Sequence, residues 1–149
     1  MHGRDRDLLV DTGLGHFSLR DHVALVNERP LVCAASHTHF DHSGCHHELG
    51  ERCVHFADAA ILADPRNEWT LADRYATDEM FDRFPEGWSA ERYRIWLAPA
   101  QRPLADRDVV VLGDLSFQVY APGHAPAAIG LFEQARVASS PAISFMTAR

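Results

Sequence analysis

Five of the chain's ten histidines, His37, His39, His42, His46 and His47, fall within eleven residues. The densest part, Ser36-His37-Thr38-His39-Phe40-Asp41-His42-Ser43-Gly44, holds four potential metal ligands in six positions. In an extended segment, alternation puts His37 and His39 on one side. Asp41 and His42 are adjacent and are expected to point apart, so that one run addresses two neighbouring cations. Gly44 is expected to let the chain turn away without crowding them. Imidazole nitrogen with some carboxylate suits zinc. A catalytic zinc keeps three protein ligands and one water, whose pKa it lowers to about 7, so that hydroxide is available at neutral pH. His37 and His39 supply two ligands. His124, in the turn Pro122-Gly123-His124, is the natural third.

The elements around this run say how it is held. Leu8-Leu9-Val10 reads as a buried strand that ends in the turn Asp11-Thr12-Gly13. Ser18 is placed to cap a helix running to about Asn27. Leu31-Val32-Cys33-Ala34-Ala35 is the next strand, and the order strand, helix, strand predicts a parallel crossover. Ligand loops in such sheets sit at the carboxyl ends of strands, which is where the histidine run begins. Val54-His55-Phe56 reads as a short strand, and residues 57–100 as mostly helical between Pro65, Pro85-Glu86-Gly87 and Pro99. Val109 to Leu112 and Leu115 to Tyr120 flank Gly113-Asp114 as a hairpin, and Ala127 to Phe132 reads as a further strand.

Composition bounds the partners. The chain has 149 residues, the size of one domain, with 46% hydrophobic and 23% charged residues. A net charge of -7 argues against nucleic acid or an anionic membrane, and no apolar run is long enough to span a bilayer. Cys33, Cys45 and Cys53 are an odd count without paired metal spacing, which fits a reducing cytoplasm better than a disulfide framework. All 14 basic residues are arginine. The expected partner is a small-molecule substrate.

With Leu9-Val10-Asp11-Thr12-Gly13 upstream and Ala121-Pro122-Gly123-His124-Ala125-Pro126 downstream, the His-x-His-x-Asp-His run resembles the metallo-β-lactamase superfamily of hydrolases. The resemblance covers residues 8 to about 133. It implies an α+β fold, the four-layer αββα sandwich, here incomplete: the first half and part of the second. It implies one or two Zn2+ ions, with His37, His39 and His124 at the first and Asp41 and His42 at the second, and Asp11 supporting the loop. The reaction it implies is attack of metal-held hydroxide on the acyl carbonyl of a thioester or lactone, with Asp41 orienting the nucleophile and passing a proton to the leaving group. Two rival readings are a di-iron redox relative and an inactive metal-binding remnant.

The chain departs from the family pattern after Glu133, beyond which it has no Asp, Glu or His. The family's Ser-Gly-Asp turn, which carries a bridging aspartate, and its last histidine are missing. The codons of Ala138 to Ala148, read from the third base, permit Phe-Phe-Ser-Gly-Asp-Leu-Val-Tyr-Asp-Gly. Residues 1–133 are therefore read as a partial domain and 134–149 as an aberrant tail from a frameshift near 133–137. The N-terminus also reads as short for the family. The second metal site is then expected to be incomplete, and the chain poorly folded, weakly active or inactive.

The remaining signals have plain readings. His46 and His47 are expected on the surface of a helix start, and Cys45 as a small apolar packer. His16, His22 and His55 have no partner pattern. Trp69, Trp88 and Trp96 are expected to pack in a core or lid, and Arg92 and Arg94 to lie on a solvated face.

Overall fold

A computed structural model describes residues 1–80, 85–121 and 127–134, and the backbone of 145–146. Four strands, β1 (Asp7–Val10), β2 (Leu31–Ala34), β3 (Glu51–His55) and β4 (Arg102–Leu104), form a parallel sheet in that order. Four more, β5 (Val109–Val111), β6 (Ser116–Tyr120), β7 (Gly130–Glu133) and β8 (Phe145–Met146), form an antiparallel sheet in sequence order. The β1–β2 pairing is the parallel crossover that the sequence predicts. The β5–β6 pairing is the expected hairpin, whose Gly113 takes φ 104°.

The two sheets share one core. Leu8, Val32, Ala34, Cys53 and Leu104 of the parallel sheet meet Val110, Phe117, Val119 and Leu131 of the antiparallel one. Alternation along β2 sends Cys33 to the opposite face, where it packs with Val26 and Leu49. Beyond β2, Ala35 joins Phe40, Val54, Leu62, Tyr93 and Ile95. The parallel sheet is thus covered on both faces, as its uninterrupted apolar strands require. The antiparallel sheet leaves Val111 and Tyr120 exposed on its outer side. The described residues therefore make three of the four expected layers.

Several local expectations are corrected. The helix expected from Ser18 to Asn27 is two single turns, α1 (Leu19–His22) and α2 (Leu25–Glu28). Ser18 does cap the first, its hydroxyl accepting from the Asp21 N–H. The Arg20 carbonyl is then taken by the Asn27 side-chain amide at 2.7 Å, so the ladder stops at Val23. Residues 57–100 are not mostly helical. The described ones hold three short helices, α4 (Ala59–Ala63), α5 (Asn67–Thr70) and α6 (Ala72–Tyr75), with 3-10 turns at Phe56–Asp58 and Ala90–Arg92. Leu71, at φ 61°, separates α5 from α6. Sequence reading missed β4, a three-residue edge strand whose Pro103 disguises it; a proline is tolerated at an edge because no partner needs its N–H. A one-turn helix, α3 (Phe40–Ser43), lies inside the histidine run.

Candidate metal centre

β1 delivers Asp11 and β2 delivers Ser36 to adjacent loops. Asp11 sits at φ 61°, a left-handed conformation that aspartate tolerates better than most side chains. From there its carboxylate accepts the Ser36 N–H at 2.7 Å and the Ser36 hydroxyl at 2.8 Å, and lies 2.8 Å from His42 Nδ1. Because the Ser36 hydroxyl donates to Asp11, its oxygen is an acceptor for His37 Nδ1, 3.0 Å away. Both Nδ1 atoms therefore carry the proton, and the lone pair of each ring is left on Nε2. That is the arrangement by which a carboxylate orients metal-binding imidazoles.

The rings converge. The centroid of His37 lies 4.4 Å from that of His39 and 4.0 Å from that of His42. Burial, reinforced by the His42 and His39 rings, holds His37 below the usual histidine range and keeps it in the neutral form that ligates metals. The expectation for His37 and His39 holds: an i, i+2 pair before α3 brings both rings to one side. The expectation that Asp41 and His42 point apart does not. Both lie on the α3 turn, where neighbours diverge by about 100° rather than 180°, and Asp41 Oδ2 comes to 3.4 Å from His42 Nε2. The Asp41 side chain is half exposed. His124 lies outside the described residues, as does the 134–149 tail apart from Gln134 and the backbone of β8. Among the described residues no group of three or more His, Cys, Asp or Glu side chains is disposed to hold an ion. What they supply is an oriented set of imidazoles, in donor type and tautomer suited to zinc.

A buried layer beneath the loop was not legible as such. Thr12 donates its N–H to the His42 carbonyl at 2.7 Å and its hydroxyl to the same oxygen at 3.2 Å. The hydroxyl also accepts from the Cys45 N–H and lies 3.1 Å from His46 Nδ1. His46 is 0% exposed, with Nε2 3.4 Å from Cys33 Sγ, and burial lowers its pKa to about 4. This corrects its expected surface placement. The signal for it was the small-residue step Ser43-Gly44-Cys45, which carries the chain into the core before His46. Gly44 has an ordinary helical φ of -58°, so it serves close approach, not a special turn. A Cβ there would overlap the backbone of Leu14 and Gly15. Cys45 is buried as expected, its thiol pushed up to about 11 by burial. His22 bonds the Ser18 carbonyl through Nδ1 at 2.8 Å.

Beside the loop lies a cleft of about 420 Å³, lined among others by His16, Trp88, Arg92, Tyr93, Arg94 and Trp96. Trp88 packs against the core as expected, but Trp69 and Trp96 are exposed. The Tyr93 hydroxyl donates to the Leu14 carbonyl at 2.6 Å and approaches that of Phe40 at 3.4 Å, which ties the cleft wall to the metal loop.

No family model matches the chain. It is 36% identical over 148 aligned positions to the acyl-coenzyme A thioesterase MBLAC2 of Bos taurus, covering 90% of this chain and 52% of that protein. It is 34% identical to MBLAC2 of Homo sapiens at the same coverage. Among solved structures, it superposes on the class B3 di-zinc metallo-β-lactamase LRA-12 from an Alaskan soil metagenome. That match has a TM-score of 0.65 and 17% identity, and covers 99% of this chain and 54% of the other. BJP-1, a subclass B3 enzyme of Bradyrhizobium japonicum, matches at a TM-score of 0.58 and 19% identity, with 93% and 49% covered. The chain spans about half the length of the curated relatives it matches. By sequence the chain is similar to acyl-coenzyme A thioesterases over about half their length, and by fold it is similar to the class B3 metallo-β-lactamases, its described residues matching the part of that fold that bears the His-x-His-x-Asp-His loop.

Proposed function

We propose that this chain is the loop-bearing part of a zinc-dependent hydrolase acting on an acyl thioester, acyl-coenzyme A being the substrate class. The observation that carries the reading is the Asp11 carboxylate bonding His42 directly and His37 through Ser36, so that both rings offer Nε2. Likeness to acyl-coenzyme A thioesterases favours a thioester over a lactone. His37, His39 and His124 are the residues that would hold one ion, and Asp41 and His42 a second. Zinc held there supplies Lewis acidity for a carbonyl and lowers the pKa of water.

The chain's own groups do the rest. Asp11 fixes two tautomers and the angle of both rings. Asp41, half exposed and beside His42, is the group placed to take a proton from the nucleophile and pass it to the departing thiolate. Tyr93 holds the loop at Phe40, between His39 and Asp41. On this reading residues 1–133 are a partial metallo-β-lactamase domain and 134–149 an aberrant tail read in a shifted frame.

The test is zinc titration of the full chain followed by hydrolysis of an acyl-coenzyme A, with Asp11→Ala alongside. Zinc uptake with thioester turnover is expected, and Asp11→Ala should weaken metal affinity by about 10- to 100-fold, the usual cost of removing a ligand's carboxylate partner. Zinc uptake without turnover would favour the second reading, an inactive metal-binding remnant, for which the absence of Asp, Glu and His after Glu133 speaks. No zinc uptake, or iron uptake with oxygen consumption, would overturn the proposal.

A further inference from the structure

We propose that the cleft beside the metal loop binds the phosphorylated adenosine end of coenzyme A. The substrate's identity rests on the thioesterase reading above; the chemistry of the cleft does not. His16, Trp88 and Tyr93 form its aromatic wall, with ring centroids 4.9 Å apart for His16–Trp88 and 5.2 Å for His16–Tyr93. Trp96, 66% exposed, offers an open indole face at the rim. Every nucleobase has a π-face, and such a ring stacks on it.

Two guanidinium groups stand beside these rings. Arg92 is propped from behind, its Nε donating to Ser89 Oγ at 3.0 Å and its Nη2 to the Gly87 carbonyl. Arg94 lines the same cleft with no hydrogen bond or ion pair to the described residues. Among the described lining residues Glu86 is the one carboxylate, so with Arg92 and Arg94 they keep a positive balance on a chain whose net charge is -7. An unpaired guanidinium next to an open aromatic face suits a phosphate attached to a flat base. An acyl chain would gain nothing from either arginine. The location agrees: Tyr93 lines the cleft and hydrogen-bonds the backbone of the metal loop, so a ligand seated here can extend a flexible arm toward His37 and His39.

The experiment is titration of the full chain with adenosine 3′,5′-bisphosphate, read as quenching of tryptophan fluorescence; Trp88 and Trp96 line the cleft and serve as reporters. Saturable quenching is expected, with adenosine alone binding more weakly. Arg94→Ala should raise Kd about tenfold, since a charge-assisted bond to phosphate is lost. Trp96→Ala, tested by calorimetry, should weaken binding as well. Where thioesters are turned over, the preference for acyl-coenzyme A over the matching acyl-pantetheine should fall by a similar factor in Arg94→Ala. No saturable binding, binding indifferent to both substitutions, or displacement of the probe by a fatty acid would overturn the inference. Bisphosphate binding without hydrolysis of any thioester would support the cleft and defeat the thioesterase reading. Equal turnover of both thioesters with no bisphosphate binding would do the reverse.

Discussion

The metal loop and the segment that covers it, residues 59–98, meet at Tyr93 but are held by different forces. In the loop, Thr12, Ser36, Gly44 and Cys45 all donate backbone N–H groups to partners across the β1 and β2 ends, and Asp11 collects three donors. The covering segment packs Leu62, Ala72, Tyr93 and Ile95 onto the parallel sheet, and its hydrogen bonds run largely within it, as from the Ala98 N–H to the Leu62 carbonyl. Directional bonds fix angles; apolar contacts fix only proximity. Imidazoles that converge on one ion, as proposed for this loop, need fixed angles. A wall that admits and releases a ligand, as proposed for the cleft, is better served by contacts that slide.

The contrast is broken most severely at Gly44. A methyl group there would drive into the Leu14 and Gly15 backbone, where there is no flexible side chain to yield. The Gly44 N–H also donates to the Gly13 carbonyl at 2.8 Å. Gly44→Ala should therefore cost about 4 kcal/mol, at the upper end for single substitutions. Gly87 is the control in the cover, at φ 76° with nothing near its Cβ position. Gly87→Ala should carry only the left-handed backbone penalty of about 1–2 kcal/mol. Urea denaturation of both variants checks this, and equal losses would mean that the loop is no more tightly built than the cover.

A smaller effect sharpens the same point through pH. Burial lowers the His46 pKa from 6.5 to about 4, so between those values the unfolded chain binds more protons than the folded one. Stability is complete above about pH 6.5 and falls as pH drops toward 4, by roughly 3 kcal/mol if the whole difference is realised. His37 is shifted the same way by burial, so the difference between wild type and His46→Gln isolates His46. The metal-free variant should show a shallower slope between pH 6.5 and 4.5 in chemical denaturation, what is left being the part due to His37 and His16. An unchanged slope would place the pH sensitivity elsewhere.

What was legible in the sequence follows the same division. β1, β2, the β5–β6 hairpin and the pairing of His37 with His39 were readable because apolar runs, turn glycines and i, i+2 spacing are local signals. The covering segment was not. Its composition is helical, but Leu71 breaks the chain at positive φ and residues 93–100 form no helix while Tyr93 and Ile95 pack into the core, decisions made by tertiary packing. His46 was misread for a related reason. A histidine fully buried against Thr12 and Cys33 looks, in sequence, like any polar residue near a loop. Asp41 and His42 were placed correctly in the loop but with the wrong periodicity, because one helical turn begins at Phe40, before the alternation would have ended.

The junction itself offers the finest test. The Tyr93 hydroxyl is the group that joins the cover to both sides of the loop, at Leu14 and at Phe40. Burial, with Asp41 nearby, raises its pKa, so it stays a neutral donor through the physiological range. Tyr93→Phe keeps the ring packed on His16 and Phe40 and removes only the donor. The two carbonyls left behind lose one partner each, and a stability loss of about 1 kcal/mol is expected. If the cover is held by sliding contacts, that loss should be local. Amide exchange should rise over residues 85–101 and at Leu14, while the amides of Thr12, Ser36 and Cys45 stay as protected as before. Faster exchange at Thr12 and Ser36 would mean that the loop depends on its cover, and that the two regions form one cooperative unit.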